Sequence, residues 1–317
     1  MCCAKLRLRT VLKIFSWTSL ILISGSIFLA NAQAEAPADA SVESMLEKVA
    51  RTGKLVAGVP TDALPFAYRN QAGEWSGYSV DLLERIQAQL RQQLRRPVEL
   101  ELVPVTSANR LAMVTEGTVD IVCGTVSATR SRALDVEFSL GYFITGTQLL
   151  VNPASRLGNQ FTIGVIAATT NQQFVRQRFP IALFVEFENR AAGLAALEQG
   201  RIDALASDGI LLEAMRQTLP EAESFEVVPD QPYTEEEYAC AMPRNTPDLQ
   251  QAVDESLLTF MQGVLNGNPA DLQVLDTWFG TVVSIDQQPL LDYFQRQIYR
   301  HRQSAPDPES PPAGSSF

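Results

Sequence analysis

The feature that most limits the fold is a pattern of alternation that runs twice along the chain. Short apolar runs at 54–59, 98–105 and 119–123 alternate with helical patterns at 81–94 and 107–115. Val80, Leu83, Ile86, Leu90 and Leu94 recur at near-helical spacing, which puts them on one face. Ser107 stands where a helix N-cap is expected. A second series starts near Phe161, with strands at 161–166, 182–187 and 203–206 and helices at 170–178, 189–198 and 209–217. Strand–helix–strand order calls for a mostly parallel sheet flanked by helices. Two such series predict an α/β chain of two lobes, each of about 100 residues. Helical patterns at 248–265 and 269–279 follow, and the first lobe is the economical place for them to pack.

The ends of the chain differ from this core. Residues 1–34 read as a secretory signal peptide: Lys5, Arg7, Arg9 and Lys13 form a basic start, an apolar stretch runs to Ala30, and Ala30-Asn31-Ala32 and Ala32-Gln33-Ala34 fit small-x-small cleavage sites. An uncleaved membrane anchor is the alternative, but the stretch is short and carries Ser16, Ser19, Ser24, Gly25 and Ser26. Residues 35–45 are expected to be a flexible leader and 303–317, rich in Pro and Ser, a disordered tail. Cleavage removes four positive charges and takes the net charge from −11 to −15. So acidic a chain is a poor nucleic-acid binder.

The mature chain keeps two cysteines, Cys123 and Cys240, which in an exported protein can form a disulfide or stay as buried thiols. With one histidine, His301, the chain lacks the ligands for a zinc site or a histidine-based triad, so no metal, cofactor or catalytic residue is expected.

In open α/β sheets ligands bind beyond the carboxyl ends of the strands, which points to the loops after Val59, Cys123, Val165, Phe187 and Ala206. The loop after Cys123 is dense in hydroxyls and arginines: Thr125, Ser127, Thr129, Arg130, Ser131 and Arg132. An arginine fork suits a carboxylate, and hydroxyls suit an ammonium. A solvated loop explains the same composition equally well.

The segment from Gly53 to Phe66, Gly73-x-x-x-Gly77-Tyr78-Ser79-Val80-Asp81-Leu82, Asn109-Arg110 with Glu116-Gly117-x-x-Asp120, and Ser127-x-Thr129-x-x-Arg132 with Val136-Glu137-Phe138-Ser139 resemble family 3 periplasmic amino-acid-binding proteins. The stretches Pro104-Val105-Thr106-Ser107-x-Asn109-Arg110, Cys123-Gly124, Gly146-Thr147 and Tyr238-x-Cys240 are similar to the glutamate/aspartate-binding subgroup. The resemblance, over about 50–280, implies a two-lobed periplasmic-binding-protein type II fold. Lobe 1 would be 46–147 plus 240–298 and lobe 2 would be 148–239, joined by hinge strands near 146–151 and 236–242.

The resemblance also implies roles. Arg132 and Thr129 would hold the ligand α-carboxylate. Ser127 and Asp208 would hold the α-ammonium, with a helix N-cap as the other use of Asp208. Thr169 and Thr170 would form the second lobe's carboxylate clamp, Thr147 would contact the ligand near the crossover, and Phe66 would wall the pocket. The subgroup's arginine before the Leu-Pro-Phe segment is replaced by Pro60, with Asp62 nearby, and its second-lobe histidine by Arg190. Arg190 would have to restore the missing positive charge. Glutamate or aspartate is therefore the favoured ligand, with glutamine or asparagine open. The implied protein is a monomer in the periplasm that serves an ABC permease and is not an enzyme. A cyclohexadienyl dehydratase-like enzyme and a stand-alone amino-acid sensor are the rivals.

Overall fold

The computed structural model describes residues 43–153 and 161–304. The signal peptide, most of the leader and the chain beyond 304 lie outside the described residues. Helix α1 (Met45–Thr52) starts on a capping box, with Ser44 accepting from the Glu47 amide and the Glu47 carboxylate accepting from the Ser44 amide, inside what was expected to be leader.

The first lobe follows as β1 (Lys54–Pro60), the small antiparallel strands β2 (Asp62–Ala63), β3 (Ala67–Arg69) and β4 (Trp75–Ser76), α2 (Tyr78–Leu94), β5 (Glu99–Val105), α3 (Arg110–Thr115), β6 (Ile121–Val122) and β7 (Val136–Phe138). Helix α2 begins three residues before its expected start, because Gly77 opens the turn at φ +141°. A Cβ there would lie 2.1 Å from the Phe66 carbonyl oxygen. Helix α3 begins at Arg110, not Ser107. Thr106 and Asn109 exchange amide-to-side-chain hydrogen bonds (2.7 and 3.2 Å) and hold 107–109 as a turn.

Strand β8 (Phe143–Thr145) leaves the first lobe. The second comprises β9 (Thr147–Val151), β10 (Thr162–Ile166), α4 (Thr170–Arg178), β11 (Leu183–Phe187), α5 (Arg190–Glu198), β12 (Ala204–Asp208), α6 (Gly209–Thr218) and β13 (Glu226–Val228). The chain returns through β14 (Glu236–Tyr238) to β15 (Ala241–Pro243), α7 (Pro247–Leu265), α8 (Pro269–Asp276) and α9 (Gln288–Ser304). The expected helix at 269–279 ends at Asp276 and continues as a π-helical turn, Thr277–Val282, that buries Trp278 and Phe279.

The two five-stranded sheets share one plan. In the first, ordered β5-β1-β6-β15-β7, β5, β1 and β6 are parallel and β15 runs against its neighbours. In the second, ordered β11-β10-β12-β9-β13, β11, β10 and β12 are parallel and β9 is reversed. The lobes are joined by the antiparallel pair β8–β14, with Thr145 opposite Glu236. Thr147 pairs with Asp208 inside the second sheet, so the first crossing falls at Gly146, the first residue of the expected hinge strand. Only a residue without a Cβ fits there, since one would lie 1.7 Å from the Thr234 carbonyl oxygen.

Cys123 and Cys240 form a disulfide with Cα atoms 4.4 Å apart, resolving the open choice between bridge and thiols. It links the end of β6 to the start of β15. Phe66 lies in the first lobe's core, edge-on to Tyr238 and Phe143 at 5.0 and 4.9 Å. Helix α9, unforeseen from sequence, buries Leu290, Tyr293, Phe294 and Ile298 in this core and takes Gln303 and Ser304 from the expected tail. Among the described residues no helix is long and apolar enough to cross a membrane.

Candidate functional site

The carboxyl ends of β1, β5, β6, β10, β11 and β12 converge where the lobes meet, and so do the polar side chains. The loop after β6 delivers Ser127, buried, and then Arg132 at the start of a 3-10 turn. The Arg132 guanidinium donates from one Nη to the Ser127 carbonyl (2.9 Å) and from the other to the Ala168 carbonyl of the second lobe (3.4 Å). Burial lowers its pKa against the pull of Glu236 and Asp208. Thr129 accepts from the Arg132 amide (3.3 Å) and lies 3.1 Å from the Ser131 hydroxyl, so it braces the turn. Ala168 sits at φ +59°, an unusual backbone for a residue with a Cβ, and this places its carbonyl at the cleft.

The second lobe answers with carboxylates. Asp208 ends β12 and precedes α6, but its side chain does not cap that helix. It accepts from Asn171 Nδ2 (3.2 Å) and faces the buried Tyr238 hydroxyl. Burial, reinforced by the like charge of Glu236, pushes its pKa up to about 6. Glu236, on the crossover strand β14, gathers three hydroxyls: Thr170 donates at 2.6 Å, Thr234 at 3.1 Å and Thr147 at 3.2 Å. Thr170 also lies 3.4 Å from Ser127 Oγ across the lobes. Arg132 and Asp208 thus offer poles of opposite sign on facing lobes, the arrangement a zwitterion requires.

Three expected residues are engaged elsewhere. Thr169 caps α4, accepting from the Gln172 amide and donating to the Ile166 carbonyl (2.8 Å), which commits its hydroxyl. Thr147 is fully buried beneath Glu236 and accepts from Asn171 (3.0 Å). Phe66 is fully buried behind Tyr238 and backs the wall of the cleft without forming it.

Beside the zwitterion poles lies a cavity of about 360 Å³, lined by Pro60, Asp62, Thr106, Arg110, Asn189 and Arg190 among others. Arg110 is 5% exposed, spends one Nη on the Thr125 carbonyl (2.7 Å) and leaves its Nε without a hydrogen bond. Burial, with repulsion from Arg132 and Arg190, lowers its pKa to about 9, so the site stands to gain from an anionic or acceptor group there. Arg190, also 5% exposed, is not free: its Nη1 pairs with Asp62 at 3.2 Å, and its amide donates to the same carboxylate at 3.0 Å.

Arg110, Asn171, Glu236 and Tyr238 were not among the expected site residues. Arg110 follows the carboxyl end of β5, so the rule that places ligands beyond strand ends points to it as well. Glu236 lies in the run Glu235-Glu236-Glu237, which looks like a solvated face until strand pairing turns one member inward.

Known proteins match this architecture. The model for bacterial extracellular solute-binding proteins, family 3, matches residues 55–280. An ABC transporter glutamine-binding protein of Bacillus subtilis is 29% identical over 77% of this chain and 91% of its own. A glutamate/aspartate import solute-binding protein of Salmonella typhimurium is 26% identical over 83% of this chain and 87% of its own. Among solved structures, an ancestral amino acid-binding protein, a precursor of cyclohexadienyl dehydratase, superposes with a TM-score of 0.62 at 24% identity, covering 74% of this chain and 99% of that one. With the family model spanning both sheets and the crossover pair, the chain belongs to the bacterial extracellular solute-binding proteins, family 3.

Proposed function

We propose that this chain is exported across the inner membrane, captures a free polar L-amino acid between its lobes, and hands it to an ABC permease. The observation that carries this reading is the facing of Arg132 and Asp208 across the cleft, with Ser127, Thr170 and Glu236 between them. Arg132 would take the α-carboxylate, and Asp208 with Ser127 the α-ammonium. Ligand contacts to both lobes would favour the closed form through their differential affinity.

Glutamate or aspartate is the favoured ligand. The adjoining cavity is lined by Arg110 and Arg190 together with two carboxylates, Asp62, which is held by Arg190, and Glu188, which is exposed, and the Nε of each arginine awaits a partner. In this reading Arg110, not Arg190, replaces the positive charge absent at Pro60. The Asp62–Arg190 pair favours a second reading, in which the side chain is the neutral amide of glutamine or asparagine. The enzyme reading has less support: the relatives at 26–29% identity are named as binding proteins.

The test is a thermal-shift screen of ligand-free protein against all free amino acids, since a ligand that binds only the folded state raises its stability by mass action. A stabilising response to glutamate or aspartate above all others supports the favoured reading. No response to any amino acid would overturn it.

A further inference from the structure

The contact between Asp62 and Arg190 crosses from one lobe to the other. Asp62 lies on β2 of the first lobe, and Arg190 is the first residue of α5 in the second. Both carboxylate oxygens serve this one residue, Oδ2 accepting its amide at 3.0 Å and Oδ1 its Nη1 at 3.2 Å. The first of these satisfies a free N–H at the start of a nine-residue helix, where the helix dipole also favours negative charge. Asn189 serves the Ala192 amide from within the second lobe (2.9 Å), so the first turn of α5 is capped partly from its own lobe and partly from the other.

The surroundings strengthen the pair. Beside it is a largely apolar crevice of about 220 Å³ lined by Leu64, Tyr68, Leu194, Leu211 and Met215, with residues of both lobes. Ile210, Leu211 and Ala214 of α6 are buried with the first lobe's core. Arg190 is shielded from water while the Asp62 carboxylate keeps partial access, so the pair interacts more strongly than a fully exposed one. Among the described residues Asp62 is the sole carboxylate in an ion pair with Arg190.

Asp62 therefore occupies, in the protein itself, the position that an acidic ligand side chain would seek. We propose that Asp62 is a tethered carboxylate that latches the lobes together through Arg190 and the start of α5, and that by holding Arg190 it shifts selectivity away from acidic ligands and toward amide ligands. This rests on the amino-acid-binding reading above. An incoming carboxylate must displace Asp62 or sit beside it with like charge, whereas an amide meets no such opposition. Arg110 then supplies the positive charge that Asp62 does not cancel.

The experiment uses the full mature chain stripped of co-purified amino acids, with Asp62→Asn and Asp62→Ala. Asp62→Asn keeps the shape and an acceptor for the Arg190 amide but removes the charge. Titration calorimetry with glutamate and glutamine is expected to show the affinity ratio move about tenfold toward glutamate in both variants. Taking the ratio cancels any effect common to both ligands, such as easier opening. Small-angle scattering of the ligand-free proteins is expected to show a larger radius of gyration for Asp62→Ala than for the parent. An unchanged ratio in Asp62→Asn, or superimposable ligand-free scattering curves, overturns the proposal. If the parent binds no amino acid, the functional reading fails by itself, and the scattering arm still decides the latch.

Discussion

The two ends of the cleft are built on different principles. At one end, Arg132, Ser127, Thr170, Asp208 and Glu236 form a network that spans both lobes, with positive and negative poles apart. At the other, Arg190 and Asp62 cancel one another, and Arg110 is left buried with an unused donor. The first end suits the part that every amino acid shares. The second suits whatever distinguishes one side chain from another, and there a single internal carboxylate changes the net charge offered to the ligand. In the proposed reading, general recognition would be over-determined and selectivity would rest on few groups.

Breaking the first end should have the largest effect. Arg132→Ala should weaken every amino-acid ligand by about 100-fold or more, roughly 3 kcal/mol, because it removes a buried, charge-assisted partner. Near-normal affinity by calorimetry would remove Arg132 from the site. At the second end, Arg110→Gln should weaken glutamate or aspartate by about 30-fold while costing glutamine about tenfold less. Equal losses would mean that Arg110 serves the lobe's fold and not selectivity.

The pH dependence sharpens the contrast, since its source lies at the first end. With the Asp208 pKa near 6 in the empty site, a ligand ammonium favours the ionised form and must displace its proton in acid. Affinity should therefore fall about tenfold between pH 7 and pH 5 for acidic and amide ligands alike, and Asp208→Asn should flatten the profile. In the empty protein the sign is opposite for stability. A carboxyl whose folded pKa is raised costs nothing while protonated in both states and costs progressively more as pH climbs from about 4 to about 6. Asp254, raised to about 6 by burial, adds to that same window from outside the cleft, so calorimetric binding and not melting isolates Asp208. The smallest effect is expected from Thr170→Val, which removes one hydroxyl between Ser127 and Glu236 and should cost all ligands severalfold, about 1 kcal/mol.

Legibility in the sequence followed the same divide. Both strand–helix series were readable because each sheet repeats one parallel plan with covered faces, so burial leaves periodic marks. Ser127, Arg132 and Thr170 follow strands and Asp208 ends one, and the structure brings them to one cleft. The departures from expectation have local causes. Ser107 lost its cap role to the Thr106–Asn109 exchange. Thr169 became a cap because the hydroxyl one residue earlier meets the free amides of α4. The partnership of Asp62 with Arg190 joins residues 128 positions apart, and no local pattern announces such a contact. Glu236 was hidden for a similar reason: its inward turn depends on the pairing of β14 with β8.

The bridge between Cys123 and Cys240 has a topological consequence. The bonded residues are 117 positions apart, and the whole second sheet with both crossings lies between them. That lobe is consequently a covalently closed ring set into the first. A single backbone cut anywhere between the two cysteines would leave one linked molecule, and no fragment would separate until the bridge was reduced.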